Sequence, residues 1–189
     1  MPLSTVLGAQ SLVQPAVCTT ATRPASPYTG QAIYDTTVAT TLVWSGSAWI
    51  ASGGKVLQVV QALYATSTST TSTSYVTTGL SASITPTSNT SKVMIMYTGF
   101  MFISPAAKLG RFTIFRGTVA GTNLASAPGL GCMYSSSTDL MNNTAMQFLD
   151  SPSTTSATTY TIGMNTDSGT IEAQRYSTQS VIILMEISA

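Results

Sequence analysis

From residue 55 to 189 no apolar stripe of helical period is sustained. The hydrophobic residues come instead in short runs rich in Val, Ile, Tyr, Phe and Thr. These are residues 56–64, 75–78, 80–84, 92–103, 111–116, 145–149, 160–165, 170–175 and 181–187. Turn signals separate them: Thr85-Pro86-Thr87, Ser104-Pro105, Arg116-Gly117, Pro128-Gly129, Asp150-Ser151-Pro152 and Asp167-Ser168-Gly169. Residues 65–74, almost all Ser and Thr, read as a polar loop or a solvent-facing strand. β-Branched and aromatic side chains suit a pleated, half-buried surface. The pattern predicts an all-β chain with about eight or nine antiparallel strands in a jelly-roll-like sandwich.

The chain ahead of this block divides in two. Residues 1–22 carry Leu3, Val6, Leu7, Leu12, Val13 and Val17 scattered among Gly, Gln, Pro and Thr. Gly8 and Pro15 keep any helical turn short. So little apolar surface cannot fold alone, which leaves a disordered tail or an arm that lies on a partner. Residues 23–54 open with turn-rich Arg23-Pro24-Ala25-Ser26-Pro27-Tyr28-Thr29-Gly30. Three short strands follow, at 31–35, 41–44 and 48–50, with Trp44 and Trp49 bracketing a Ser-Gly-Ser turn. A sheet this small is marginal by itself. Ser52-Gly53-Gly54 then reads as a flexible joint to the sandwich, residues 55–189.

Run 92–103 is apolar on both sides. Val93, Ile95, Tyr97, Met101 and Ile103 share one face, and Met94, Met96, Phe100 and Phe102 share the other. Run 181–187 behaves likewise until Glu186. A sandwich buries only one face of each sheet in its core. The second face therefore needs a cover. Another copy of the chain is the preferred one, with loops or the small N-terminal sheet as the alternative. Met94 and Met96 read as packing residues rather than ligands.

Composition excludes most chemistry. Charged residues are 7% of the chain, against about a quarter in ordinary domains, and Ser plus Thr fill roughly a third of it. Seven Lys+Arg against six Asp+Glu leave a net charge of +1 and no basic field for nucleic acid. There is no His, so His-based acid–base catalysis, His metal sites and Ser-His-Asp triads are ruled out. The longest apolar run, 93–103, is interrupted by Tyr97, Thr98 and Gly99 and is too short for a spanning helix; no membrane insertion is expected. Residues 1–14 lack the charged start of a signal peptide, so synthesis in a cytosol is expected. Cys18 and Cys132 then read as free buried thiols rather than a disulfide, and make no zinc site. Among the carboxylates, Asp167 and Glu172 flank one hairpin and are the best candidate pair for hydrolysis. Asp167, however, sits in Asp-Ser-Gly, where Asp initiates a turn. Asp139 with Asn142 and Asn143 lacks an EF-hand spacing, and Gly129-Leu130-Gly131 does not join a strand to a helix. No catalytic residue, metal or cofactor is expected.

Two stretches resemble known modules. Arg23-Pro24-Ala25-Ser26-Pro27-Tyr28-Thr29-Gly30-Gln31-Ala32-Ile33-Tyr34-Asp35-Thr36, with Thr41-Leu42-Val43-Trp44-Ser45-Gly46-Ser47-Ala48-Trp49, is similar to a small module of tailed-phage fibre and particle-surface proteins. Ser91-Lys92-Val93-Met94-Ile95, Phe115-Arg116-Gly117, Phe148-Leu149-Asp150-Ser151-Pro152 with Thr154-Thr155-Ser156-Ala157-Thr158-Thr159-Tyr160, and Leu184-Met185-Glu186-Ile187 resemble a module often found after it. The resemblance implies a tailed-bacteriophage virion surface protein with a homotrimeric jelly-roll knob. Met94, Met96, Phe100 and Phe102 are then the candidate trimer interface. Leu3, Val6, Leu7, Leu12 and Val13 become the candidate particle anchor. The expected role is capsid decoration, as a cement protein or short head fibre bound to the major capsid protein or another virion protein. The alternative is a tail fibre or receptor-binding tip that contacts a host glycan or receptor. A long fibre needs a shaft of heptads, collagen-like triplets or β-helix repeats, and the sequence holds none.

Overall fold

The computed structural model of the chain describes residues 15–53, 55–105, 108–125, 128–136 and 139–188. The candidate anchor residues Leu3, Val6, Leu7, Leu12 and Val13 lie outside them. Two compact units are present, Met1–Gly54 and Lys55–Ala189.

The first unit is a sheet of four strands in chain order: β1 (Ala16–Cys18), β2 (Ala32–Asp35), β3 (Thr40–Trp44) and β4 (Trp49–Ala51). β1 runs parallel to β2, and the other pairs are antiparallel. Trp44 and Trp49 face each other across β3 and β4 with their rings edge-on, centroids 5.5 Å apart. Ile33 and Leu42 are its buried apolar residues among those described. The expected arm of residues 1–22 is corrected here, because Ala16–Cys18 is a strand and Thr20–Thr22 a 3-10 turn of this sheet. The cause is polar. Asp35, fully buried, accepts bonds from Arg23 Nε (2.6 Å), Thr20 Oγ1 (3.0 Å) and the Thr37 amide (2.8 Å). Burial alone would raise the Asp35 pKa; Arg23, Thr37 and Thr20 outweigh it and hold the carboxyl below its usual range. The Thr36 amide also reaches the Cys18 carbonyl at 2.8 Å. Hydrophobic patterning does not register such anchors.

The second unit is the sandwich. Its strands are β5 (Val56–Tyr64), β6 (Thr68–Thr70), β7 (Val76–Ile84), β8 (Lys92–Ser104), β9 (Lys108–Arg116), β10 (Thr122–Asn123), β11 (Gly131–Ser135), β12 (Leu140–Asp150), β13 (Thr158–Thr166), β14 (Thr170–Ala173) and β15 (Ser180–Ile187). All pairings are antiparallel. β14 and β15 lie end to end along β8, and β10 and β11 lie end to end along β9. With each such pair taken as one, and the short β6, which pairs with β14, taken as continuing β5, the first sheet reads β12-β8-β15-β5 and the second β11-β9-β13-β7. In chain order that is sixth-third-eighth-first over fifth-fourth-seventh-second, the double Greek key of a jelly roll. The all-β jelly-roll-like sandwich is the architecture of this unit.

The inward residues of both sheets form one core that includes Ile95, Tyr97, Met101, Phe112, Ile114, Ile162, Met164 and Leu184. The sequence breaks the second strand at residue 79; β7 runs straight through it. Gly79 sits at φ +87, where the partner β13 shifts register between Thr161 and Gly163. A Cβ there would lie 2.4 Å from the Tyr64 ring, so glycine permits a bulge rather than a turn. β10 and β11 were not expected, since the sequence pattern places a turn at Pro128-Gly129 and no strand between residues 116 and 145.

Candidate interaction surface

Alternation along β8 decides what the surface holds. Val93, Ile95, Tyr97, Met101 and Ile103 are 0–1% exposed and belong to the core. Met94, Met96 and Phe100 are half-buried on the outer face. Phe102 departs from the expected interface set, being only 6% exposed. The Arg175 guanidinium lies 3.7 Å above its ring, a cation–π contact supplied by the same chain.

Arg175 stands in a 3-10 turn, Arg175–Ser177, that leaves the sheet between β14 and β15. Gln174, Tyr176 and Ser177 have φ of 56, 59 and 57. Such left-handed backbone costs about 1 kcal/mol or more per non-glycine residue and persists only when its surroundings hold it. Gln174 supplies the hold. Its amide N–H donates to the Phe100 carbonyl at 3.1 Å. With its amide oriented so that oxygen and nitrogen both meet complementary groups, its buried side chain donates to the Ala173 and Thr78 carbonyls at 3.2 Å and accepts from Ser180 Oγ at 3.0 Å. Arg175 is further fixed by Glu172 at 3.2 Å, and Tyr176 projects into solvent.

Register extends the outer face across four strands. One row is Leu149–Met94–Met185–Val59, the next Gln147–Met96–Ile183–Gln61, the third Ala145–Thr98–Val181–Leu63. Val59, Leu63 and Leu149 are 59%, 51% and 44% exposed. A shallow depression of about 350 Å³ opens beside Met96, Thr98, Ala145 and Gln147. The sequence reading found the β8 and β15 members of this face. It missed β5 and β12, whose outward residues show only once the register is known.

The polar residues are engaged in the fold. Asp167 and Glu172 are not brought together. Asp167 accepts the Leu109 amide of β9 at 2.9 Å, which with the Ser168 amide, Lys108 and Arg111 holds its pKa low against burial. Glu172, on β14 in the other sheet, accepts from Ser67 Oγ and Arg175. Asp150, buried at the end of β12, accepts from Arg116 through Nε (2.8 Å) and Nη2, and from Tyr160 Oη (2.7 Å). This ties β12 of one sheet to β9 and β13 of the other. Burial and then the Asp150 carboxylate raise the Tyr160 pKa. Glu186, fully buried, accepts from Gln58 Nε2 (2.6 Å), the Thr87 amide (2.8 Å) and Thr87 Oγ1 (2.7 Å). Burial raises the Glu186 pKa, and Gln58, the Ser91 hydroxyl and Thr87 overcome it and bring it to about 2. Among the described residues no three His, Cys, Asp or Glu gather as a metal would need. Both cysteines are free, but neither is buried as expected. Cys18 is half-buried, and Cys132 is exposed because β11 turns Met133 inward instead.

No protein-family profile and no curated protein matches the chain. Solved structures of infectious bursal disease virus are similar at 14% identity. The Gt strain structure has a TM-score of 0.43 and covers 75% of this chain and 40% of its own. The Gx strain structure has 0.42, with 75% and 39% covered. The VP2 subviral particle has 0.39, with 88% and 46% covered. The chain thus spans less than half the length of these neighbours.

Proposed function

We propose that this protein is a non-enzymatic structural component of a tailed-phage virion, a homotrimeric decorating protein seated on the capsid surface as cement or a short head fibre. One observation carries the reading: a jelly-roll sandwich without histidine, whose carboxylates Asp150, Asp167, Glu172 and Glu186 are spent on tying strands and turns together. Such a fold supplies a body with large faces, which suits adhesion to a shell. The fibre-type sequence modules point to the same class of particle, although fold by itself does not fix function.

Purified particles provide the test. Quantitative mass spectrometry should find the protein at a stoichiometry comparable to that of the shell protein. A stoichiometry comparable to tail proteins would overturn the capsid placement in favour of a receptor-binding tip. Cleavage of host capsular polysaccharide by the purified chain would overturn the non-enzymatic reading.

A further inference from the structure

We infer that the outer face of the β12-β8-β15-β5 sheet is the surface through which copies of this chain bind one another. The inference does not depend on the virion reading, because it rests on the face alone.

Size is the first argument. Four strands about 4.8 Å apart, each about seven residues long at about 3.4 Å per residue, span about 450 Å². A standard interface takes about 800 Å² from each partner, with an apolar centre and a polar rim. The three rows fit the centre. Met94, Met96, Val181, Ile183 and Met185 are half-buried in the middle, and Val59, Leu63 and Leu149 stand exposed on the outer strands.

Charge is the second. None of the three rows contains an ionisable side chain. Among the described residues ionisable groups begin at the ends, with Lys55 and Lys92 on one side and Asp139 and the Glu172–Arg175 pair on the other. A face without charge can pack against another copy without burying an unpaired charge or setting like charges near the symmetry axis.

The third is the kind of polarity retained. The exposed polar members are Gln61, Gln147, Thr98 and Asn143. Each amide or hydroxyl carries both a donor and an acceptor, so it can pair with its own copy. Lys, Arg or carboxylate at these positions would instead specify a partner of opposite charge. Apolar rows edged by self-pairing groups fit a second copy of the chain. The 3-10 turn with exposed Tyr176 closes one end of the face as a rim.

The experiment uses the full chain at ten micromolar in sedimentation velocity. Wild-type protein is expected to be a single oligomer. Met96→Asp and Ile183→Asp should each sediment as monomers with an unchanged circular dichroism spectrum. Ser81→Asp, at an exposed position of β7 in the other sheet, should sediment like wild type. Peroxide footprinting of wild type covers the case of a variant that fails to fold. Met94, Met96 and Met185 should oxidise more slowly than Met141, which is 45% exposed beyond the three rows. A monomeric wild type overturns the inference, as do face variants that stay assembled, a Ser81→Asp variant that dissociates equally, or equal oxidation of all these methionines. A monomer with those methionines protected would also overturn it, by assigning the cover to another part of the same chain.

Discussion

Glu186→Gln tests how a buried carboxylate is held by neutral donors. The substitution keeps the shape of the side chain and removes its charge. In the folded chain the carboxylate has a pKa of about 2 against an ordinary 4.5. That difference of about 2.5 pH units corresponds to about 3 kcal/mol of stability carried by the charged form. The amide of the variant retains part of the bonding to Gln58 and Thr87, so the expected loss at pH 7 is about 2 kcal/mol. For a unit of this size that lowers Tm by about 6–10 °C. The sign with pH follows from the lowered pKa. The contribution is complete above the unfolded pKa of 4.5 and is lost as pH falls toward the folded value of about 2. The gap between wild type and variant should therefore stay constant from pH 7 to pH 5 and close between pH 4.5 and pH 2. Urea denaturation measures it, at one fixed protein concentration because the proposed self-association would make apparent stability concentration-dependent. A gap that persists undiminished at pH 2 would refute the reasoning and assign the loss to shape rather than charge.

Three further outcomes are expected. Asp150→Ala leaves Arg116 and the Tyr160 hydroxyl without their shared acceptor and should cost about 2–4 kcal/mol, the partly exposed Arg116 keeping it below a fully buried pair; calorimetry checks this. Gly79→Ala sets a Cβ against the Tyr64 ring at positive φ and should lower stability by about 2 kcal/mol or more, read by thermal melting. Removal of residues 2–14 leaves β1 intact, so the truncated chain should fold and assemble as before, yet fail to bind particles stripped of the native protein; since these residues carry no charged side chain, binding by the full chain should vary little with salt.

The repeating strands of the sandwich were legible because a period of two is written directly in the residues. β5 matches its expected span from Val56 to Tyr64, and β8 and β15 differ from theirs by a single residue at one end. What escaped depended on partners distant in sequence. β1 exists because Asp35 draws Thr20 and Arg23 toward it, and β11 exists because β9 offers it an open edge. The interaction surface divided in the same way. Met94, Met96 and Phe100 were readable from alternation along one strand. The cover over Phe102 was not, because it comes from Arg175 on a turn that leaves the sheet 73 positions later. Leu149 and Val59 join the face only through the register of β12 and β15.

The position of β15 has a consequence for how the sandwich is made. It lies between β5 and β8, and the Ser188 amide closes onto the Lys55 carbonyl at 2.8 Å, so the opening and closing strands of the unit are neighbours. On a ribosome, β5 and β8 emerge early and wait with bare edges until residue 187 has left the exit tunnel. Pairing of such long range is slow, and open edges invite the strands of other chains. The sheet with the most apolar outer face is therefore the one completed last. Its waiting time, set by translation rather than by diffusion, sets how long those edges stay open to other chains.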